Sequence, residues 1–384
     1  MIDYDVIVVG GGMVGMAFAL DFAKKQNQKI AIIDNSEIKP TILKDFHTRV
    51  SSINIASEEY LKELGVWQDI ERKKSFSKVK VWDQNSQGSI NFDSQEEDLT
   101  HFGHIIENDI IKLALYKSIK KSNITIIKDN VINIEKDNNF YKIISTDKTI
   151  TCSLLIGADG ANSKIRKLAG IEYRENNYEQ KAIIANIVSK QKFNNTISQR
   201  FLDNSIIAIL PMSENKASIV YSCNNDIAKT LINLSDKEFN EKLNIATEYF
   251  FGELELISKR NEFPITEKSA KNYFLDNLAL IGDAAHNIHP LAGQGVNLGF
   301  ADSKTLNIKL YENKDKDIKY SEILEEYAKD RKIQNEIMAK TMTTLNWVYK
   351  NNDEPIRIIR GLGMNFINNN QIIKSFLQKQ AVGK

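Results

Sequence analysis

Short apolar runs and stretches of helical spacing alternate along the chain to about residue 70. Val6 to Val9 is an apolar, β-branched run, the pattern of a parallel strand buried on both faces, and Met13 to Lys24 carries apolar residues at helical intervals. A second strand, Lys29 to Ile33, ends at Asp34. Phe76 to Phe92 reads as strands, with Val79 and Val81 alternating against Lys78 and Lys80, and Asn108 to Lys121 returns to helical spacing. Ile124 to Lys128, Val131 to Glu135 and Tyr141 to Ser145 are strand-like. So are Ala182 to Val188, Ile197 to Leu202, Ile206 to Leu210 and Ala217 to Ser222. The pattern then predicts a helix over Asp236 to Phe251, a strand over Leu256 to Phe263, and mostly helix beyond Ser303.

Interleaving of this kind predicts an α/β fold: a Rossmann-like nucleotide domain, an inserted β-sheet-rich substrate domain and a helical C-terminal region. The expected division gives residues 1–72, 101–180 and 268–384 to the nucleotide domain and 73–100 and 181–267 to the substrate domain. A substrate domain built from insertions borders the nucleotide domain, and pockets form at such borders.

The first strand and helix are joined by Gly10-x-Gly12-x-x-Gly15. The first glycine permits a tight turn, the second lets the backbone approach a pyrophosphate, and the third lets helix and strand pack closely. The helix start, with Met13 and Val14, offers free N–H groups and a partial charge of roughly +0.5 to phosphates. Asp34 falls where an acid binds ribose hydroxyls, and it repels a 2′-phosphate, which favours FAD or NAD over NADP in this site.

Composition narrows the picture. With 384 residues the chain can bury a large core and form two or three domains. Lys+Arg 51 against Asp+Glu 50 leaves no global field to draw it onto nucleic acid, so no nucleic-acid partner is expected. Cys152 and Cys223, without a CxxC, exclude a disulfide scaffold or a cysteine zinc site. The first strand begins at Tyr4, so no signal or transit peptide is expected, and no apolar window reaches the roughly 18 residues of a membrane span. The expected location is cytoplasmic.

Two further segments repeat the strand-to-turn pattern. Cys152 to Arg166 runs from a buried strand into Asp159-Gly160, with a helix starting near Asn162. Leu278 to Ile281 leads into Gly282-Asp283, then His286, His289-Pro290 and Gly293-Gln294-Gly295, with a helix from about Gly295. Such a helix start favours negative charge, which a reduced flavin ring carries and a nicotinamide does not. A metal site at Asp283, His286 and His289 is disfavoured by the interrupting Pro290 and the glycines, and no metal is expected. His101 and His104 are read as loop or packing histidines.

These three elements, in this order, resemble the para-hydroxybenzoate hydroxylase superfamily of flavin monooxygenases over nearly the whole chain. The resemblance implies that Gly10, Gly12, Met13, Val14, Gly15 and Asp34 bind the ADP half of FAD. It implies that Asp159 lines the nucleotide, that Asp283 meets the ribityl-pyrophosphate portion, and that Pro290, Gly293, Gly295, Val296 and Asn297 hold the isoalloxazine ring. Arg49, Asn108 and the backbone at Val131 are further implied FAD contacts. Narrower phrases, Arg49 to Ile53, Ile106-Glu107-Asn108, Ala284 to Gly295 and the tail Gly361-Leu362-Gly363 with Gln380 to Gly383, are similar to the ubiquinone-biosynthesis hydroxylases. Asp34 where many relatives carry Glu, and Val296 where Leu is usual, are mild departures.

The implied reaction is hydroxylation of a polyprenyl phenol or benzoquinol by O2 and NAD(P)H, with FAD as cofactor and NAD(P)H as a transient co-substrate. No acid or base stands out, since the cofactor carries the hard chemistry. A related monooxygenase or epoxidase on another aromatic or lipid, and a non-catalytic FAD-binding accessory subunit, remain alternatives. A prenyl tail is held in a bilayer by about 0.8 kcal/mol per methylene-sized group, so ten groups give about 8 kcal/mol and the enzyme must reach the membrane. Pro355 to Leu377 carries Ile359, Leu362, Phe366, Ile372 and Phe376 among Arg357, Arg360, Lys374 and Lys379. That stretch is read either as a basic amphipathic surface for the inner face of a membrane or a biosynthetic complex, or as a stripe packed on the nucleotide domain.

Overall fold

The computed structural model describes residues 2–38, 42, 44–288, 295–350 and 353–383. β1 (Tyr4–Val9) lies at the centre of an eight-stranded sheet because its four last residues are buried on both faces. It pairs in parallel with β2 (Ile30–Asp34) on one side and with Thr149–Gly157 on the other. Thr125–Lys128 extends the parallel set beyond β2, and Leu278–Leu280 extends it beyond Thr149–Gly157. Three separate stretches of sequence thus bring their strand ends to one sheet edge, where ligands bind in open α/β folds. Helices α1 (Met13–Lys25), α3 (Asn108–Lys120) and α7 (Gly295–Glu312) share the large apolar core with this sheet.

A nine-stranded, mainly antiparallel sheet forms the second layer. Its spine is Tyr173–Ser189, paired with Asn261–Ala270 and Lys216–Asn224. Helices α5 (Asn225–Asn233) and α6 (Asp236–Ala246) pack on it around Phe239 and Leu243. Both long strands run across the expected domain limits at 180 and 267. A small sheet joins β3 (Val50–Asn54), Gly103–Glu107 and Lys74–Phe76, and α2 (Ile55–Glu63) leaves directly from β3.

Several expected boundaries differ. The helix from Asp236 stops at Ala246 rather than Phe251, because Glu248 and Tyr249 take positive φ of 52° and 51° and turn the chain back. The strand expected over Leu256 to Phe263 is two pieces, Leu254–Leu256 and Asn261–Ala270, parted where Ile257 N donates to Asn186 O and Asn186 N donates to Ser258 Oγ. The helix after Asp159 is short, α4 (Lys164–Leu168), capped by Ser163.

The C-terminal region consists of α8 (Tyr320–Lys350), α9 (Glu354–Asn369) and α10 (Gln371–Val382). α9 covers Ser89–Asp93, an edge strand of the large sheet, where Asn365 and Asn368 side chains accept from the Ser89 and Asn91 amides. Covering an edge removes a template for unwanted strand pairing. Among the described residues no helix is long and apolar enough to cross a membrane.

Candidate cofactor site

The turn after β1 is set by backbone crowding. Gly10 has φ +115°, and a Cβ there would lie 2.2 Å from Ala158 O; a Cβ on Gly15 would lie 2.1 Å from Gly10 O. Neither position admits a side chain. Gly12 is different, with nothing within 4 Å of a Cβ, so the backbone there faces open space. Gly12 is also the N-cap of α1, without a side-chain cap and with no acid in the first turn. The free amides of Met13 and Val14 and the positive end of the helix are therefore available to an anion. Gly160 and Gly295 also face open space. Three exposed backbone approaches, from the three strand-to-turn segments, fit a long phosphate-bearing cofactor.

Asp34 ends β2 and braces the turn. Its Oδ2 accepts from Gly11 N at 2.7 Å, while Oδ1 accepts from Ser36 N and Oγ. The Asp34 carbonyl accepts from Asp129 N at 2.9 Å, which places buried Val131 close by. Asp159 caps α4, accepting from Lys164 N at 2.7 Å and Ile165 N at 3.0 Å. Its carboxylate is thus engaged by its own turn. Arg166 from α4 is buried and donates to Ala284 O at 2.7 Å, tying the second segment to the third.

The third segment is locked by a buried charge cluster. Asp302 on α7 accepts from Gly282 N at 3.0 Å, His286 Nε2 at 2.5 Å, Arg331 Nε at 2.7 Å and Asn335 Nδ2 at 3.2 Å. Burial pushes the Asp302 pKa up, but His286 and Arg331 outweigh it and hold the carboxyl below its usual range. Asp283 is itself exposed while its neighbours Gly282 and Ala284 are buried; protein packed around it still raises its pKa, with His286 opposing. Val14 closes the circuit, since Cβ atoms on Gly282 and Gly299 would lie 3.2 Å and 2.5 Å from its methyls.

Asn297 fastens this end to β3, donating from Nδ2 to Ser52 O at 2.7 Å and accepting on Oδ1 from Asn54 N at 3.2 Å. Asn108 accepts from Ser51 Oγ at 2.7 Å, and its amide donates to Arg49 O at 3.1 Å. The Arg49 guanidinium lies 4.3 Å from the centre of the Phe263 ring. Gly295 and Val296 open α7. Pro290 and Gly293, with His289 and Gln294, lie outside the described residues. Sequence reasoning missed Asp302, Arg331 and the bridging role of Arg166. A charged residue inside an apolar helical stripe, as at Asp302 between Phe300 and Leu306, is the signal that could have found the first.

The C-terminal stripe also departs from expectation. Arg360 is buried against Asp83, with Nε 2.9 Å from Oδ2, and Lys374 is buried against Glu96 at 2.7 Å. Two of the four expected surface cations therefore point inward. The apolar residues point outward: Ile359 is 68%, Leu362 65%, Phe366 60% and Ile372 83% exposed.

A central parallel sheet with glycine turns, an acid after the second strand and a second, antiparallel layer defines a Rossmann-like dinucleotide-binding protein with an added sheet. A family model described as FAD binding domain matches residues 3–341. The ubiquinone biosynthesis monooxygenase COQ6 of Xenopus tropicalis is 31% identical over 95% of this chain and 90% of its own length. The 3-demethoxyubiquinol 3-hydroxylase of Escherichia coli is 29% identical over 99% of this chain and 98% of its own. Among solved structures, p-nitrophenol 4-monooxygenase PnpA of Pseudomonas putida is similar in fold, with a TM-score of 0.78 at 16% identity, covering 98% of each chain. The chain belongs to the ubiquinone-biosynthesis hydroxylase family of FAD-binding proteins.

Proposed function

We propose that this protein hydroxylates the ring of a polyprenyl phenol or benzoquinol intermediate in ubiquinone biosynthesis, using NAD(P)H and O2. The observation that carries the reading is the near full-length similarity to two enzymes named for ubiquinone-pathway chemistry, combined with the glycine turn of Gly10 to Gly15. When bound, FAD supplies the redox and oxygen chemistry that side chains lack. The protein's part is to bind, orient and exclude water.

In this reading Gly12 and the first amides of α1 hold the pyrophosphate, and Asp34 keeps its remaining acceptor capacity for ribose hydroxyls. Arg49, Asn108, Val131, Asp159 and Asp283 line the length of the cofactor. Pro290 and Gly293 to Asn297 hold its ring, with the α7 N-terminus favouring negative charge there by about 0.3–1 kcal/mol, and more if partly buried. In the proposed division the nucleotide domain takes 1–72, 101–180 and 268–384 and the substrate domain 73–100 and 181–267, with the strands Tyr173–Ser189 and Asn261–Ala270 passing from one into the other.

Membrane contact belongs to the same proposal. The outward apolar face of α9 and α10 is suited to the acyl boundary, where a fully buried Leu, Ile or Phe contributes about 1.5–3 kcal/mol. With Arg360 and Lys374 engaged inward, insertion of these apolar side chains supplies more of the attraction than charge.

The purified, FAD-loaded protein is expected to oxidise NAD(P)H with O2 uptake only when a prenylated phenol is added, and lipid from a deletion strain should accumulate an under-hydroxylated intermediate. Normal ubiquinone in that strain would refute the pathway assignment. Flavin that is never reduced would favour the accessory role. Phe366→Ser with Phe376→Ser should lower co-sedimentation with vesicles while folding stability stays within about 0.5 kcal/mol.

A further inference from the structure

The pairing of β3 with Gly103–Glu107 sets Ile53 opposite His104, and one turn into α2 Glu58 reaches back over that pair. His101 arrives from the loop before the strand. Glu58 Oε2 lies 2.9 Å from His101 Nε2 and 3.0 Å from His104 Nδ1, and the three ligand atoms fall within 4.8 Å of one another. In the sequence the two histidines look isolated, because their carboxylate partner lies 43 positions upstream of His101 and further still from His104.

We propose that Glu58, His101 and His104 form a binding site for a divalent metal ion of zinc type. Two imidazoles and a carboxylate are a common three-ligand set for zinc, with water as the fourth ligand, and bonds of about 2.0–2.1 Å separate tetrahedral ligands by about 3.3 Å. The two imidazole nitrogens lie 2.9 Å and 3.0 Å from Glu58 Oε2, a few tenths of an ångström inside that separation, and all three atoms lie within 4.8 Å of one another.

Hydrogen bonding alone accounts for less of the arrangement. His101 Nε2 and His104 Nδ1 converge on the same Glu58 oxygen at 2.9 Å and 3.0 Å, and among the described residues the buried His104 Nδ1 lacks a well-aligned hydrogen bond. A metal ion taking the lone pairs of both nitrogens accounts for that convergence. The outer contacts match as well. Thr100 Oγ1 lies 2.8 Å from His101 Nδ1, and Lys62 Nζ holds the other Glu58 oxygen at 2.6 Å, so the ligands are oriented from behind.

The histidine side chains are 23% and 13% exposed, which leaves a path for an ion and a water. Lys62 and Lys73 oppose a dication, so the site is of moderate affinity rather than a permanent structural centre. The donor set contains no thiolate, which favours zinc-like ions over softer ones, and its place beneath β3 lets a bound ion stiffen the corner that carries Ser51 and Asn108.

The test uses the chelator-treated, FAD-loaded protein titrated with Zn2+ in a calorimeter. One equivalent is expected to bind, and His101→Asn and Glu58→Gln should each weaken binding by more than about tenfold. X-ray absorption at the zinc edge of the wild-type protein, loaded with one equivalent, should report two imidazoles, oxygen ligands and no sulfur. That measurement stands if a variant fails to fold. Absence of saturable uptake, equal affinity in the variants, or fewer than two imidazoles would each overturn the proposal.

Discussion

The two ends of the proposed cofactor site are built by opposite means. The Gly10 to Gly15 end relies on missing side chains: backbone approaches backbone so closely that a Cβ at residue 10 or 15 would overlap a carbonyl oxygen. The end at Gly282 and His286 relies on added charge, with buried Asp302 gathering a backbone amide, His286, Arg331 and Asn335. The first device is made of backbone, part of it from Ala158 in the second strand-to-turn segment, and tolerates almost nothing. The second joins residues from distant stretches of chain and depends on every partner being present, since a buried charge that loses its counterpart is costly.

The sharpest way to break the contrast is at the glycine end. Gly15→Val should cost more than about 4 kcal/mol and abolish FAD retention, read as the flavin-to-protein absorbance ratio and soluble yield. A variant with full flavin content would refute the crowding argument. Next in size is Asp302→Asn, which leaves Arg331 without a countercharge and should cost about 3–5 kcal/mol by chemical denaturation. This effect carries a pH signature. Because the folded Asp302 pKa is depressed, its contribution is complete above the unfolded value of about 3.9 and fades as pH falls through the folded value. The gap between wild type and Asp302→Asn should therefore be constant at neutral pH and shrink in acid. The smallest is Asn297→Ala, which frees the Ser52 carbonyl and the Asn54 amide and should cost about 1–3 kcal/mol. Its loss of FAD affinity should be milder than that of Gly15→Val; an equal loss would mean that both ends share one mechanism.

Legibility in the sequence followed the same division. β1, α1, β2 and the glycine turn could be read because period, turn residues and acid fall within one short stretch of chain. The strand Tyr173–Ser189 is legible only from Ala182 because Tyr173 to Glu179 is polar and mostly exposed, and its order comes from pairing with Asn261–Ala270. Helix α5 is not among the expected elements although Ile227, Ala228, Leu231 and Ile232 share one face against the core, so here a readable helical pattern lies in a single short element between strands. The Asp302 cluster and the approach of Glu58 to two histidines were hidden for a different reason. Contacts between residues far apart in sequence leave no periodic trace.

Val14 adds a genetic consequence. Its methyls fill the space that side chains at 282 and 299 would need, so the α1 start and the α7 start cannot vary independently. Gly299→Ala should be harmful alone and relieved by Val14→Ala, with a coupling of about 0.5–3 kcal/mol in a double-mutant cycle. Along a lineage, a change at one of these positions would open or close the set of neutral changes at the others, so the history of the N-terminal turn is written partly in the helix that follows the last glycines.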